Sequence, residues 1–226
     1  MEAGSRRPSE SGARIAEGDW LFVTTMRPVS VGALFIDRDR NPVVTTVAHI
    51  ERPEDDWRPG RAVHCDADRP TDYSPLVGSL RERTPVDTDI GGSTNEQYLD
   101  VGSDACTVYP NRWVDVDAVT PVTAIPAIPE EPTRVWKRGA ASDVTTGTLH
   151  PVIESFVADN KYYYAEAYLI EGDDEPFAMK GDSGSIVYLD ADDQPIGMVV
   201  AVERGTNNAF CVSLIQISDE LGLSTS

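Results

Sequence analysis

From residue 121 to 132 the chain reads Pro-Val-Thr-Ala-Ile-Pro-Ala-Ile-Pro-Glu-Glu-Pro, four prolines in twelve positions. Proline lacks an N–H and holds φ near the extended region, so this stretch is neither helix nor central strand. It reads as a semi-rigid, extended connector. The segments on either side are alike: short runs of β-branched and aromatic residues, broken by turn residues, with almost no helical periodicity. Before the connector the strand candidates are Trp20 to Thr25, Val31 to Ile36, Val43 to Val47, Tyr73 to Leu80, Cys106 to Tyr109 and Trp113 to Val119. After it they are Arg134 to Lys137, Thr145 to Ile153, Lys161 to Leu169, Ser185 to Leu189, Ile196 to Val202 and Ala209 to Leu214. Turns at 37–42 and 52–60 punctuate the first half, and Ser218 to Leu223 fits a short capping helix. The expected organisation is all-β: a polar, disordered leader over 1–17, one β unit over 18–119, the linker over 120–133 and a second β unit over 134–226.

Composition removes several function classes. The net charge of −19 opposes a nucleic-acid surface, which needs cations to displace phosphate counterions. Lysine is scarce, with only Lys137, Lys161 and Lys180. No apolar run approaches membrane-spanning length, and the N-terminus lacks the apolar stretch of a secretory signal. Three widely spaced cysteines, Cys65, Cys106 and Cys211, make neither a disulfide framework nor a Cys-x-x-Cys metal pattern. These features point to a reducing, cytoplasmic setting unless a leader has been removed, with no metal or cofactor and no membrane partner.

Near the end of the chain stands Gly181-Asp182-Ser183-Gly184, followed by an apolar strand. Such a tetrapeptide is also ordinary turn chemistry. A nucleophilic serine needs a base in contact with it and a third group to orient the base. Of three histidines, His150 lies in a strand reaching a proline, and His64 sits in a mixed polar stretch. His49 differs, because it ends the buried β-branched run Val43-Val44-Thr45-Thr46-Val47-Ala48. A rigid strand end is where a base must be placed accurately.

On these blocks the chain resembles the chymotrypsin/trypsin-like serine proteases. Thr46-Val47-Ala48-His49 resembles their histidine block, and Gly181 to Ser185 resembles their nucleophile block. Gly32 to Ile36 and Pro42 to Val44 resemble the strands leading to the histidine. Arg138-Gly139 with Thr145 to Thr148 is similar to the entry of the second barrel, and Ile196 to Val200 to the strand bordering the cleft. The resemblance covers about residues 18–216 and implies two six-stranded antiparallel β-barrels with the active site between them. It implies a serine endopeptidase acting on a protein or peptide substrate. Ser183 would be the nucleophile, His49 the base and Asp104, before the apolar run Ala105 to Val108, the orienting acid, with Asp100 as its rival. Asp87 and Asp89 read as solvated loop residues. The N–H groups of Gly181 and Ser183 would form the oxyanion hole.

The departures are as informative. Ile50 and Met179 stand where secreted members carry cysteines. Phe177, six residues before Ser183, occupies the position that lines the base of the primary specificity pocket, with Val200, Ala201 and Val202 as its wall. That favours an apolar or small side chain before the scissile bond, while Glu203, Asp173 and Asp174 keep a basic preference open. Arg14-Ile15 faintly resembles an activation site whose freed amine would pair with Asp182. Two other classes remain: a catalytically silent double barrel used as a binding module, and a hydrolase using Cys106 or Cys65.

Overall fold

The computed structural model describes residues 13–23, 27–51, 57–67, 74–91, 97–158 and 162–225. Most of the leader (1–12), part of the turn at 52–56, and the strand positions Thr24, Thr25, Tyr73 and Lys161 lie outside the described residues. Among the described residues, seventeen strands, one 3₁₀ turn and one α-helix follow in order. The first half holds β1 (Arg14–Ala16), β2 (Trp20–Phe22), β3 (Val29–Ser30), β4 (Leu34–Ile36), β5 (Pro42–Val47), β6 (Ala62–Asp66), β7 (Leu76–Arg83), β8 (Asp87–Gly91), β9 (Gln97–Asp100), β10 (Ala105–Pro110) and β11 (Asp115–Ala118). The second half holds β12 (Thr133–Gly139), β13 (Asp143–Ala158), β14 (Tyr162–Gly172), β15 (Ile186–Leu189), β16 (Pro195–Val202), β17 (Asn208–Ser213) and α1 (Leu214–Leu221).

The first sheet runs β3-β2-β6-β7-β10-β5-β4. Residues 29–36 make it a barrel. β3 pairs with β2 at one edge, β4 pairs with β5 at the other, and Gly32 N–H donates to Thr45 O (2.9 Å) between them. With β3 and β4 counted as one bent strand, six strands close the ring. The interior is filled by apolar side chains with no exposed surface, among them Leu21, Phe35, Val43, Val44, Val63, Val77 and Val108. Alternation along β6 shows why it lies there: Val63 and Cys65 point inward while their neighbours face out.

The second ring is β13-β12-β15-β16-β17-β14, closed by direct β13–β14 pairing from Gly147↔Gly172 onward. Val135, Leu149, Ile170, Phe177, Val187, Ile196 and Val199 form its core. The β8–β9 hairpin comes from the first half of the chain but pairs with the second sheet. Leu99↔Tyr162 and Asp100↔Tyr163 run parallel along β14. Asp87 and Asp89, expected in a loop, therefore belong to a strand.

The proline segment is extended and pinned to the first barrel. Leu34 N–H donates to Thr120 O, and Val122 N–H donates to Leu34 O, each at 3.0 Å. At the N-terminus the expected leader is shorter than 1–17. Ile15 is fully buried, and β1 pairs in parallel with β11. An isolated isoleucine in a polar stretch carries no strand period, so the pattern could not reveal this docking. The capping helix begins at Leu214, four residues before its expected start, because Ser213 Oγ caps it by accepting from Ile215 N–H (3.1 Å).

Candidate active site

β5 ends at Val47, and a single 3₁₀ turn, Ala48–Ile50, presents His49 at the rim of the first barrel. Asp104 holds this turn through three contacts. Its main-chain carbonyl accepts from Ala48 N–H (2.6 Å), its Oδ1 accepts from His49 N–H (3.1 Å), and its Oδ2 lies 2.5 Å from His49 Nδ1. Asp104 is 1% exposed and adopts φ +50, a left-handed conformation that aspartate tolerates better than most residues. With Nδ1–H donated to a carboxylate, the other ring nitrogen, Nε2, is left as the acceptor. A third donor reaches the same carboxylate: Tyr164 O–H, from β14 of the second barrel, donates to Oδ2 at 2.7 Å.

Asp100 is placed elsewhere. Its Oδ1 accepts from Gly102 N–H (2.9 Å), and its backbone is paired with Tyr163. The remaining histidines are also apart: His64 stacks on Phe22, and His150 faces Glu171 on the surface.

Ser183 sits in the turn between Phe177 and β15. Ser30 N–H donates to Ser183 O (2.8 Å), so the turn is clamped onto β3, and Thr46 Oγ1 of β5 donates to Ser30 O (2.9 Å). Gly184 makes this approach possible at φ +97, since a Cβ there would lie 2.5 Å from Ser30 O and 2.6 Å from Thr46 Oγ1. The Ser183 turn thus packs beside β5, the strand that leads into the His49 turn. In this conformation the Ser183 hydroxyl donates to Val200 O at 3.5 Å. Val200 is the extra residue of a bulge between the pairs Val199↔Cys211 and Ala201↔Phe210, which aims its carbonyl off the ladder. Gly181, at φ +109, packs so closely on Trp20 that a Cβ would lie 2.4 Å from the indole. Among the described residues, the N–H groups of Gly181 and Ser183 donate to no protein acceptor.

Asp182 turns away from solvent into a site that the sequence reading missed. Lys137 on β12 and Asp182 are both 0% exposed, with Nζ and Oδ2 3.2 Å apart. Oδ2 also accepts from Ser142 Oγ (2.6 Å) and Met179 N–H (2.7 Å). Oδ1 accepts from Ala141 N–H (2.8 Å) and Ser142 N–H (3.1 Å). Burial pushes the Lys137 ammonium below the ordinary lysine range, while Asp182 beside it pulls the other way. In the intact chain Asp182, the expected partner of a freed Ile15 amine, is engaged elsewhere. The carboxylate is saturated by internal donors, and Ile15 is buried in β1 beside β11.

The specificity residues divide. Val200 is buried, while Ala201 and Val202 are half-buried on β16. Phe177 does not line an open cleft as expected. It is 0% exposed, in one core cluster with Val135, Leu149 and Ile170, and its ring lies 6.0 Å from Lys137 Nζ. Of the three carboxylates that kept a basic preference open, Asp173 takes Arg134 and Thr146, Glu203 takes Thr206 and Asn208, and Asp174 is exposed. All three cysteines are free and buried. Burial pushes their thiols up, Cys211 to about 12, which removes the thiolate a cysteine nucleophile needs.

No family model matches the chain, and no curated protein matches it. Solved structures do. Nocardiopsis protease is 16% identical with a TM-score of 0.63, covering 94% of this chain and 99% of its own. Thermobifida fusca protease A is 15% identical with a TM-score of 0.64, covering 94% and 98%. The fold is that of the chymotrypsin-like serine proteases. Cellulomonas bogoriensis chymotrypsin, 17% identical with a TM-score of 0.60, covers 94% of this chain and 98% of its own. The chain shares the double barrel with these proteins over 94% of its length, at 15–17% identity.

Proposed function

We propose that the protein is a serine endopeptidase that cleaves a protein or peptide substrate through an acyl-enzyme. The observation that carries this reading is the His49–Asp104 pair at 2.5 Å, in the turn after β5, the strand whose Thr46 Oγ1 donates to the same Ser30 whose N–H clamps Ser183 O. Ser183 Oγ turns from Val200 O toward His49 Nε2, a contact that commonly tightens only when substrate binds. Oγ attacks the scissile carbonyl carbon as its proton passes to Nε2, and the C–O bond forms. The imidazolium is stabilised by Asp104 and then gives that proton to the departing amine as the C–N bond breaks. Water, deprotonated by the same nitrogen, adds to the acyl carbon, and the C–Oγ bond breaks as that proton passes to Ser183 Oγ, releasing the acid product. The oxyanion is held by the N–H groups of Gly181 and Ser183, each worth about 3 kcal/mol of barrier.

The half-buried apolar residues Ala201 and Val202 support an apolar or small side chain before the scissile bond. Three free thiols, with an isoleucine and a methionine where secreted relatives place cysteines, support a reducing compartment. A silent binding barrel is the weaker reading, since it has no need of a buried acid held against a rim histidine. Profiling on a diverse peptide library tests the proposal. The native protein is expected to cleave after apolar or small residues, and Ser183→Ala to cleave nothing. Equal cleavage by both would refute it.

A further inference from the structure

Asp104 carries more donors than a base-orienting carboxylate requires, and one comes from the opposite barrel. We infer that Tyr164 is a positioning residue for the His49–Asp104 pair, and that it ties the acid to the barrel carrying Ser183. This inference rests on the proposed hydrolase reading of the site.

The Tyr164 hydroxyl shares Oδ2 with His49 Nδ1, at 2.7 and 2.5 Å. Its ring is 2% exposed and stacks on Phe156 of β13 at 4.7 Å and 7°. Phe156 in turn stacks on Phe210 of β17 at 4.1 Å. Three adjacent strands of the second barrel thus fix where the oxygen points. β14 also grips the backbone just upstream of Asp104. Leu99 and Asp100 pair with Tyr162 and Tyr163, Val101 N–H donates to Tyr163 O (3.2 Å), and Asp104 N–H donates back to Val101 O (2.8 Å). The acid is therefore held from both sides of the interbarrel junction, and its distance from the Ser183 turn does not depend on the linker alone.

The hydroxyl also has an electrostatic consequence. A donor to Oδ2 spreads the carboxylate charge and leaves less of it to stabilise the imidazolium. Other titratable groups near the pair are Cys106 on β10, Glu51 after the 3₁₀ turn and Arg83 on β7, with Glu220 of α1 bonded to Ser103.

The test uses the full chain with Tyr164→Phe, which keeps the stacked ring and removes one oxygen. The kcat is expected to fall roughly tenfold with KM little changed, as for a lost bond to a charged group. The acid limb of the kcat/KM profile is expected to move to higher pH, and so is the NMR titration of the His49 ring. Site-specific 3-fluorotyrosine at 164, a stronger acid and donor of nearly the same shape, is expected to move both the opposite way. If Tyr164→Phe does not fold, the fluorotyrosine chain decides alone. Unchanged midpoints in the folded variants would overturn the inference. The ring titration needs no turnover, so if the native chain cleaves no peptide the hydrolase reading falls while the titration still decides the role of Tyr164.

Discussion

At the residue scale the most exacting feature is the ion pair behind Ser183. Lys137 and Asp182 are both fully buried, and two serine and alanine N–H groups, one hydroxyl and Met179 N–H complete the carboxylate's shell. Removing one partner of such a pair strands a buried charge, which typically costs about 3–5 kcal/mol. Lys137→Met is therefore expected to lower Tm by on the order of 10 °C for a chain of this size. It is also expected to loosen the turn holding Gly181 and Ser183, so activity falls even at temperatures where the variant stays folded. Thermal unfolding and peptide turnover on the same sample check both halves; an unchanged Tm would show that the pair contributes nothing net. None of this is legible in Val135-Trp136-Lys137-Arg138, where an alternating strand with one lysine reads as half solvated. The partner that makes its burial tolerable lies 45 residues away.

At the scale of elements, strand ends carry the chemistry and long-range pairing decides which ends matter. β5 delivers His49, the start of β10 follows Asp104, and β16 bulges at Val200 beside Ser183. His49 was legible because a β-branched run stopping at a histidine is a local pattern, whereas Asp104 came from the family resemblance, since Asp100 offers a similar local pattern. The β8–β9 hairpin was not legible, since Asp-Thr-Asp-Ile-Gly has turn composition and becomes a strand by pairing with β9, to which β14 in turn offers an edge. Tyr164 was hidden for the same reason: its partner belongs to the other barrel. Phe177 was misplaced because counting residues from the nucleophile gives an address but not the depth of a side chain.

One clamp between elements is expected to show in the acid limb of stability. Arg134 on β12 and Thr146 on β13 both bind Asp173 at the end of β14. The Arg134 hydrogen bond, then that of Thr146, hold this carboxyl at about 2, below its ordinary value of 3.8. Because the folded value is the lower one, the contribution is complete above about pH 4 and is lost as pH falls toward 2. The Tm advantage of the native chain over Asp173→Asn is expected to shrink across that window. An advantage that persists undiminished at pH 2 would refute the assignment.

For the whole molecule, the proline segment announced two β units, and the structure shows why they must be docked rather than merely joined. The putting together of one site takes His49 and Asp104 from the first barrel, and Ser183, Val200 and Tyr164 from the second. Clamps such as Ser30 N–H to Ser183 O and Ser30 Oγ to Gly181 O span the boundary. The two β units were readable from period and punctuation, and their closure into barrels was implied by the family resemblance; their mutual packing was in neither, because it rests on pairs more than a hundred residues apart such as Ser30 and Gly181. The central claim is that this boundary activates one serine. Reaction with a fluorophosphonate, followed by intact mass and peptide mapping, tests it most directly. One adduct per chain, on Ser183 and abolished by His49→Ala, is the expected result; a folded chain that takes up no adduct, or takes it up equally without His49, would contradict it.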